Sequence, residues 1–218
     1  MINRAGTKNS HAVIVLDGSG SMSSVLKNTI SGFNEFIQSQ RESEIDTNIS
    51  IYTFHGNSVE RIVNNQPAIS VADLNEYTYS VHGMTNLLDA IGQAISDTNE
   101  LLTESEPPSI IFCVITDGEE NSSREYNNER IKTLVSECEA AEWVFMFLGA
   151  NIDAFVSSAK IGFNSKNTLQ YDTANMSAAM TAVSFATERA KLSRSSGAIT
   201  ASVYDSMFTA QDRESNGF

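Results

Sequence analysis

Apolar positions along the chain follow two rhythms, one continuous and one helical. Val13–Leu16, Ile110–Ile115 and Trp143–Leu148 are short unbroken apolar runs, rich in β-branched and aromatic residues. Such runs predict strands buried on both faces of a parallel sheet. Ile49–Phe54 and Val59–Val63 are separated by the turn-like His55-Gly56-Asn57, which predicts a hairpin with its second strand antiparallel at a sheet edge. Between the strands the spacing becomes helical: Leu26, Ile30, Phe33 and Ile37; Leu88, Ile91, Ile95, Thr98 and Leu102; Ile131, Leu134, Cys138 and Ala141; Ile152, Phe155, Val156 and Ala159. Pro107-Pro108 ends the second of these helices. Thr168–Tyr171 reads as a short last strand, and Asp172–Lys191 as one more helix, with Met176, Met180 and Val183 on its core-facing stripe. The alternation predicts a three-layer α/β domain over residues 10–192, with a mostly parallel sheet, one antiparallel edge strand and helices on both faces. From Ser193 the residues become small and polar, predicting a flexible tail over 193–218.

Composition sets limits on what such a domain does. With 218 residues and 41% of them hydrophobic, the chain can bury a real core. Its formal net charge is −13, which disfavours phosphate backbones and makes nucleic acid a poor partner, while cations are well tolerated. The excess is local: residues 1–159 carry 8 basic and 22 acidic side chains, whereas residues 160–218 carry 6 and 5. No stretch approaches the roughly 20 apolar residues of a membrane span. Met1–Gly6 lacks the apolar core of a signal peptide, so a cytoplasmic location is expected. Cys113 and Cys138 read as small buried hydrophobes in a reducing compartment rather than a disulfide framework. Without a secretion signal, the glycosylation-type triplets at Asn48, Asn121 and Asn175 carry little weight.

The candidate chemistry follows the strands. Asp17-Gly18-Ser19-Gly20-Ser21-Met22 follows the first, His82-Gly83-Met84-Thr85-Asn86 precedes the second amphipathic helix, and Thr116-Asp117-Gly118-Glu119-Glu120-Asn121 follows the Ile110 strand. In a parallel sheet these loops share the carboxyl rim, where ligands bind at a topological switch point. Asp17, Ser19 and Ser21 alternate, so their oxygens can face one point, with Thr85 and Asp117 meeting them from neighbouring loops. Five hard oxygens with two charges suit Mg²⁺, Mn²⁺ or Ca²⁺. Two carboxylates balance a divalent cation and leave it electrophilic toward an incoming carboxylate. An EF-hand is excluded, because Met22 and Asn28 stand where it needs Gly and Glu. Gly18-Ser19-Gly20 forms no nucleophile elbow, Ser23 occupies the last position of a G-x-G-x-x-G, and no P-loop Gly-Lys-Ser/Thr exists. Read alone, the serine loop is a polar turn with Ser23 or Ser24 capping the first helix, and Thr85 is equally suited to cap the second. Glu119 and Glu120 read as a solvated loop. His55 and His82 fall on the same rim, but a zinc site needs more donors than the sequence places beside them, and a hydrolytic base needs a paired nucleophile.

Taken together, Asp17-x-Ser19-x-Ser21, Thr85 in Gly-Met-Thr-Asn-Leu-Leu-Asp-Ala-Ile, and Asp117 in Ile-Thr-Asp-Gly resemble the metal-ion-dependent adhesion site of von Willebrand factor A domains. The likeness covers about residues 10–172 and matches all five ligand positions in order. It implies a Rossmann-like fold and a divalent cation, Mg²⁺ foremost, held by Asp17, Ser19, Ser21, Thr85 and Asp117. It further implies a protein partner that supplies an Asp or Glu carboxylate; no catalysis is expected, because no base, nucleophile or phosphate-gripping Lys or Arg is visible near the site in the sequence. Phe147-Leu148-Gly149-Ala150-Asn151-Ile152-Asp153 gives the chain a likeness to small intracellular bacterial and phage members, some associated with tellurium resistance. The alternatives are a metal-dependent hydrolase or phosphotransferase using the same ion, and a stress accessory protein whose metal is mainly structural.

Overall fold

In the computed structural model, residues 9–102, 107–150, 153–195 and 206–217 are described. The strands are β1 (Ser10–Asp17), β2 (Thr47–His55), β3 (Ser58–Pro67), β4 (Ser109–Thr116), β5 (Val144–Ala150) and β6 (Thr168–Tyr171). The helices are α1 (Leu26–Glu42), α2 (Leu87–Leu101), α3 (Asn128–Ala140), α4 (Ala154–Lys160), α5 (Met176–Ser195) and α6 (Ala210–Ser215). One sheet of order β3-β2-β1-β4-β5-β6 forms, parallel throughout except for β3, which pairs antiparallel with β2. This is the expected Rossmann-like arrangement, with its one antiparallel strand at the edge.

Strand periodicity explains the unbroken apolar runs. Ala12, Ile14 and Leu16 of β1, with Ile111, Cys113 and Ile115 of β4, face a core shared with α1 and α5. Val13 and Val15, with Ile110, Phe112 and Val114, face the opposite core under α2 and α3. Residues two apart share a face, so a strand covered on both faces must be apolar at every position. Met176, Met180 and Val183 are buried in the core as expected. At Gly32 the helices approach so closely that a Cβ would meet Met180 Cγ at 3.0 Å. Cys113 and Cys138 are free and buried, and burial raises both thiols above their ordinary range.

Local capping and the end of the chain depart from expectation. Ser23 and Ser24 lie inside a 3₁₀ turn (Gly20–Val25), where their hydroxyls donate to the carbonyls of Gly20 and Ser21 instead of capping α1. Asn86, not Thr85, takes the cap position of α2. The expected apolar face of α4 is displaced: Ala154 and Ser158 are buried, while Phe155 is 37% and Val156 49% exposed. Ile152 lies outside the described residues. The tail prediction fails for the described part of 193–218. Helix α5 runs on to Ser195, and Met207 and Phe208 are each 1% exposed in the core beside it. Arg189 donates to Met207 O and Asp212, Asn167 accepts from Met207 N, and a Thr209/Asp212 capping box starts α6. Met207 and Phe208 are adjacent and share no helical or strand rhythm with the apolar residues before them, so periodicity does not reveal this anchor.

Candidate metal centre

β1 and β4 are neighbours, and chain connections leave them in opposite directions across the sheet, which makes the gap at their carboxyl ends the switch point. Asp17 closes β1 and Thr116 closes β4, and the parallel register sets them side by side. Thr116 Oγ1 accordingly donates to Asp17 Oδ2 at 2.5 Å, and Ser19 N donates to Asp17 Oδ1 at 2.7 Å. Ser19 Oγ lies 3.0 Å from Ser21 Oγ, and Ser21 Oγ donates to Asp117 Oδ1 at 2.5 Å. Thr85 meets the cluster from the other side: a Cβ built on Gly118 would stand 3.3 Å from Thr85 Oγ1 and 3.7 Å from Ser21 Oγ. All five sequence-predicted ligands are thus brought to one place. Four of them are buried, and Ser21 alone is exposed.

The loops are tied to one another through their backbones. Gly20 N donates to Gly83 O, His82 N to Gly18 O, and Gly56 N to Met84 O. Tyr79 hydroxyl donates to Asp17 O. Asn121 grips the threonine segment from both sides: its Oδ1 accepts from Thr85 N at 2.9 Å, and its own N donates to Thr85 O at 3.0 Å. Glu120 does not lie free in solvent as expected. It accepts from the backbones of Leu88, Ser122 and Ser123, pairing the β4 loop with the first turn of α2. Asp89 accepts from Arg124, Glu125 and Tyr126 N in the same way. Glu119 is exposed. Sequence reasoning missed Thr116, Asn121, Glu120 and Asp89 as holders of the site. The signal was available in part, since three of them flank Asp117 within four residues.

Electrostatically the centre is an uncompensated pair of acids. Burial raises the Asp17 carboxyl to about 6; hydrogen bonds from Thr116 and Ser19 pull it down, and Asp117 pushes it further up. Asp117 is also raised, chiefly by burial and against the hydrogen bond from Ser21. Among the described residues, none of the groups acting on either carboxyl is cationic. Burial and both carboxylates raise the nearby phenols of Tyr79 and Tyr171, keeping them neutral. Two buried acids with three hydroxyls and, among the described residues, no basic partner fit a hard divalent cation.

A mostly parallel, doubly covered sheet with a serine- and carboxylate-lined switch point defines a Rossmann-like binding domain. The chain belongs to the von Willebrand factor type A domain family, whose model matches residues 12–185. No curated protein sequence matches it. Among solved structures it is similar to proximal thread matrix protein 1 from the mussel byssus with a zinc-occupied MIDAS motif, at 14% identity over 89% of this chain and 47% of that one, TM-score 0.58. It is also similar to the pilus adhesin SpaC of Lactobacillus rhamnosus GG, at 12% identity over 83% of this chain and 30% of that one, TM-score 0.64. A third likeness is to the manganese-loaded TRAP protein of Plasmodium vivax, at 15% identity over 82% and 72%, TM-score 0.51. The chain thus spans under half the length of the first two proteins, and at these identities the likeness shows the shared fold. No helix among the described residues is long and apolar enough to cross a membrane.

Proposed function

We propose that this domain is a divalent-cation-dependent protein-binding module whose metal is held by Asp17, Ser19, Ser21, Thr85 and Asp117, and whose partner supplies a carboxylate. The observation that carries this reading is the convergence of two buried carboxylates and three hydroxyls with no cationic side chain, among the described residues, acting on either acid. Asp17 and Asp117 supply two charges, enough to neutralise Mg²⁺, the first choice of ion, or Mn²⁺ or Ca²⁺. The three hydroxyls add dipoles without charge, so a bound cation would keep electrophilic character toward a carboxylate oxygen of a partner. Without the cation the same acids repel an acidic partner, which makes capture conditional on the metal. The relatives support the reading by what they are: a pilus adhesin, a protein with zinc in its MIDAS motif and a manganese-loaded protein.

We read the site as binding rather than catalytic. The hydroxyls of Ser19 and Ser21 are engaged with each other and with Asp117. Among the described residues, no His or Lys is hydrogen-bonded to either one, and the carboxylate that is, Asp117, is itself a proposed metal ligand. The net charge of −13 argues against nucleic acid as the partner. Free, buried Cys113 and Cys138 favour a reducing cytoplasmic setting, and the likeness of Phe147–Asp153 to small bacterial and phage members suggests a complex of that kind. Panning acidic peptides on the immobilised chain in Mn²⁺ and eluting with EDTA tests the proposal. Enriched peptides should lose binding when their Asp or Glu becomes Asn or Gln, and when Asp117→Asn replaces the parent chain. Peptides that bind equally in EDTA would refute it.

A further inference from the structure

The hairpin that edges the sheet brings together three donors the sequence does not show as neighbours. β2 and β3 pair Thr53 with Glu60 and His55 with Ser58. Residues opposite one another share a face, as do residues two apart on one strand, so Glu60 stands on the same face as His55 as its diagonal neighbour. Glu60 Oε1 lies 3.8 Å from His55 Nε2. That is too long for a hydrogen bond, yet close enough for both atoms to share a ligand. From the other side, the segment bound to Gly18 O through His82 N lays the His82 ring on His55, with centroids 3.9 Å apart and planes tilted by 42°. His55 is 7% exposed and fixed at the base, whereas the Glu60 side chain is 56% exposed and His82 is exposed.

We propose that His55, His82 and Glu60 form a second cation site, separate from the Asp17 centre, for a borderline metal ion of the Zn²⁺ class. Two imidazole nitrogens and one carboxylate are a zinc ligand set that leaves one position open. They are a poor set for Mg²⁺ or Ca²⁺, which take oxygen. With bonds of about 2.1 Å, donors on a tetrahedral ion stand roughly 3.4 Å apart, and two bound imidazoles hold their centroids roughly 5 Å apart. No three His, Cys, Asp or Glu side chains among the described residues stand at ligand spacing as they are. Closure here needs the Glu60 carboxylate to draw in and the His82 ring to swing off its stack on His55 until a ring nitrogen faces the same point, both movements on exposed side chains. His55 is held neutral, first by burial and then by His82, so its ring nitrogen keeps the lone pair a metal needs. Its depressed basicity also leaves the Glu60 charge without a protonated partner near neutral pH.

Zn²⁺ titration of the Asp17→Asn chain in a large excess of Mg²⁺ isolates this site from the oxygen centre. The expected result is one Zn²⁺ per chain, lost on adding His82→Ala and weakened about tenfold on adding Glu60→Gln. The parent chain in excess Mg²⁺ provides a second reading: Co²⁺ should develop the visible absorption of a tetrahedral nitrogen site, and His82→Ala should abolish it. His82 is exposed and its loop bond is made by the backbone, so His82→Ala should leave Mg²⁺ affinity at the Asp17 centre within about twofold. Absence of saturable Zn²⁺ binding in the Asp17→Asn chain, or equal affinity after His82→Ala, would overturn the proposal.

Discussion

Replacing Asp17 by Asn should stabilise the metal-free protein while removing its metal site. Burial lifts this carboxyl from 3.8 to about 6. Each tenfold change in proton affinity is worth about 1.4 kcal/mol, so holding the charged form at pH 7 opposes folding by about 3 kcal/mol. An amide of the same shape meets no such penalty, and its hydrogen bonds can be kept. Asn Oδ1 can still accept from Ser19 N, while Asn Nδ2 faces Thr116 Oγ1. The threonine hydroxyl can then accept from the amide and donate to Gly118 O, 3.0 Å away. The expected net gain is about 1–3 kcal/mol in EDTA, with Tm rising by roughly 2–4 °C per kcal/mol. Saturating Mn²⁺ should reverse the ranking, because a ligand at a thousand times its Kd adds about 4 kcal/mol to the parent alone. Denaturant melts of both chains at pH 7, with EDTA and with Mn²⁺, supply the comparison. An Asp17→Asn chain less stable than the parent in EDTA, or equally stabilised by Mn²⁺, would refute the reasoning.

Further outcomes follow from the same geometry. His11 is buried beside Ser50 Oγ, 2.8 Å from its Nε2, and burial lowers its pKa from 6.5 to about 4. Below 6.5 the unfolded chain takes up a proton that the native chain refuses, so stability falls on acidification by about 2 kcal/mol at pH 5. Asp17 acts oppositely, its raised pKa adding stability as pH falls through 6, so the His11 slope should be read by urea melts in Asp17→Asn and should flatten in Asp17→Asn/His11→Gln. Asn121→Ala should weaken Mn²⁺ binding by about 10–100-fold in calorimetry, because Thr85 loses its side-chain clamp. Phe208→Ala should lower stability by about 3–5 kcal/mol, whereas a truly flexible tail would show no change. Gly92→Ala should destabilise by about 1–3 kcal/mol, since the new Cβ would stand 2.4 Å from the Tyr126 ring, and Tyr126→Ala should absorb most of that loss in a double-mutant cycle.

What the sequence made legible follows from which forces act locally. The strands β1, β4 and β5 could be read because burial on both faces leaves no polar position to confuse the pattern. The five oxygen donors could be read because strand ends carry them on short glycine-marked turns, and the parallel fold aligns those turns at one rim. The positioning residues were harder. Asn121, Glu120 and Asp89 are polar loop residues whose roles depend on backbone N–H groups many residues away. Glu60 beside His55 depends on hairpin register, which composition does not reveal. The phase of helix α4 misleads because the helix is only seven residues long, too short for periodicity to choose a face. Met207 and Phe208 went unread because an anchor of two residues has no period at all.

Asp17 and Asp117 are proposed to hold one divalent cation between them. Isothermal titration of Mn²⁺ into the parent chain, Asp17→Asn and Asp117→Asn, with far-UV circular dichroism confirming equal fold, addresses it directly. One saturable site in the parent and none in either variant is the predicted result. Parent-like Mn²⁺ affinity in both variants would contradict it.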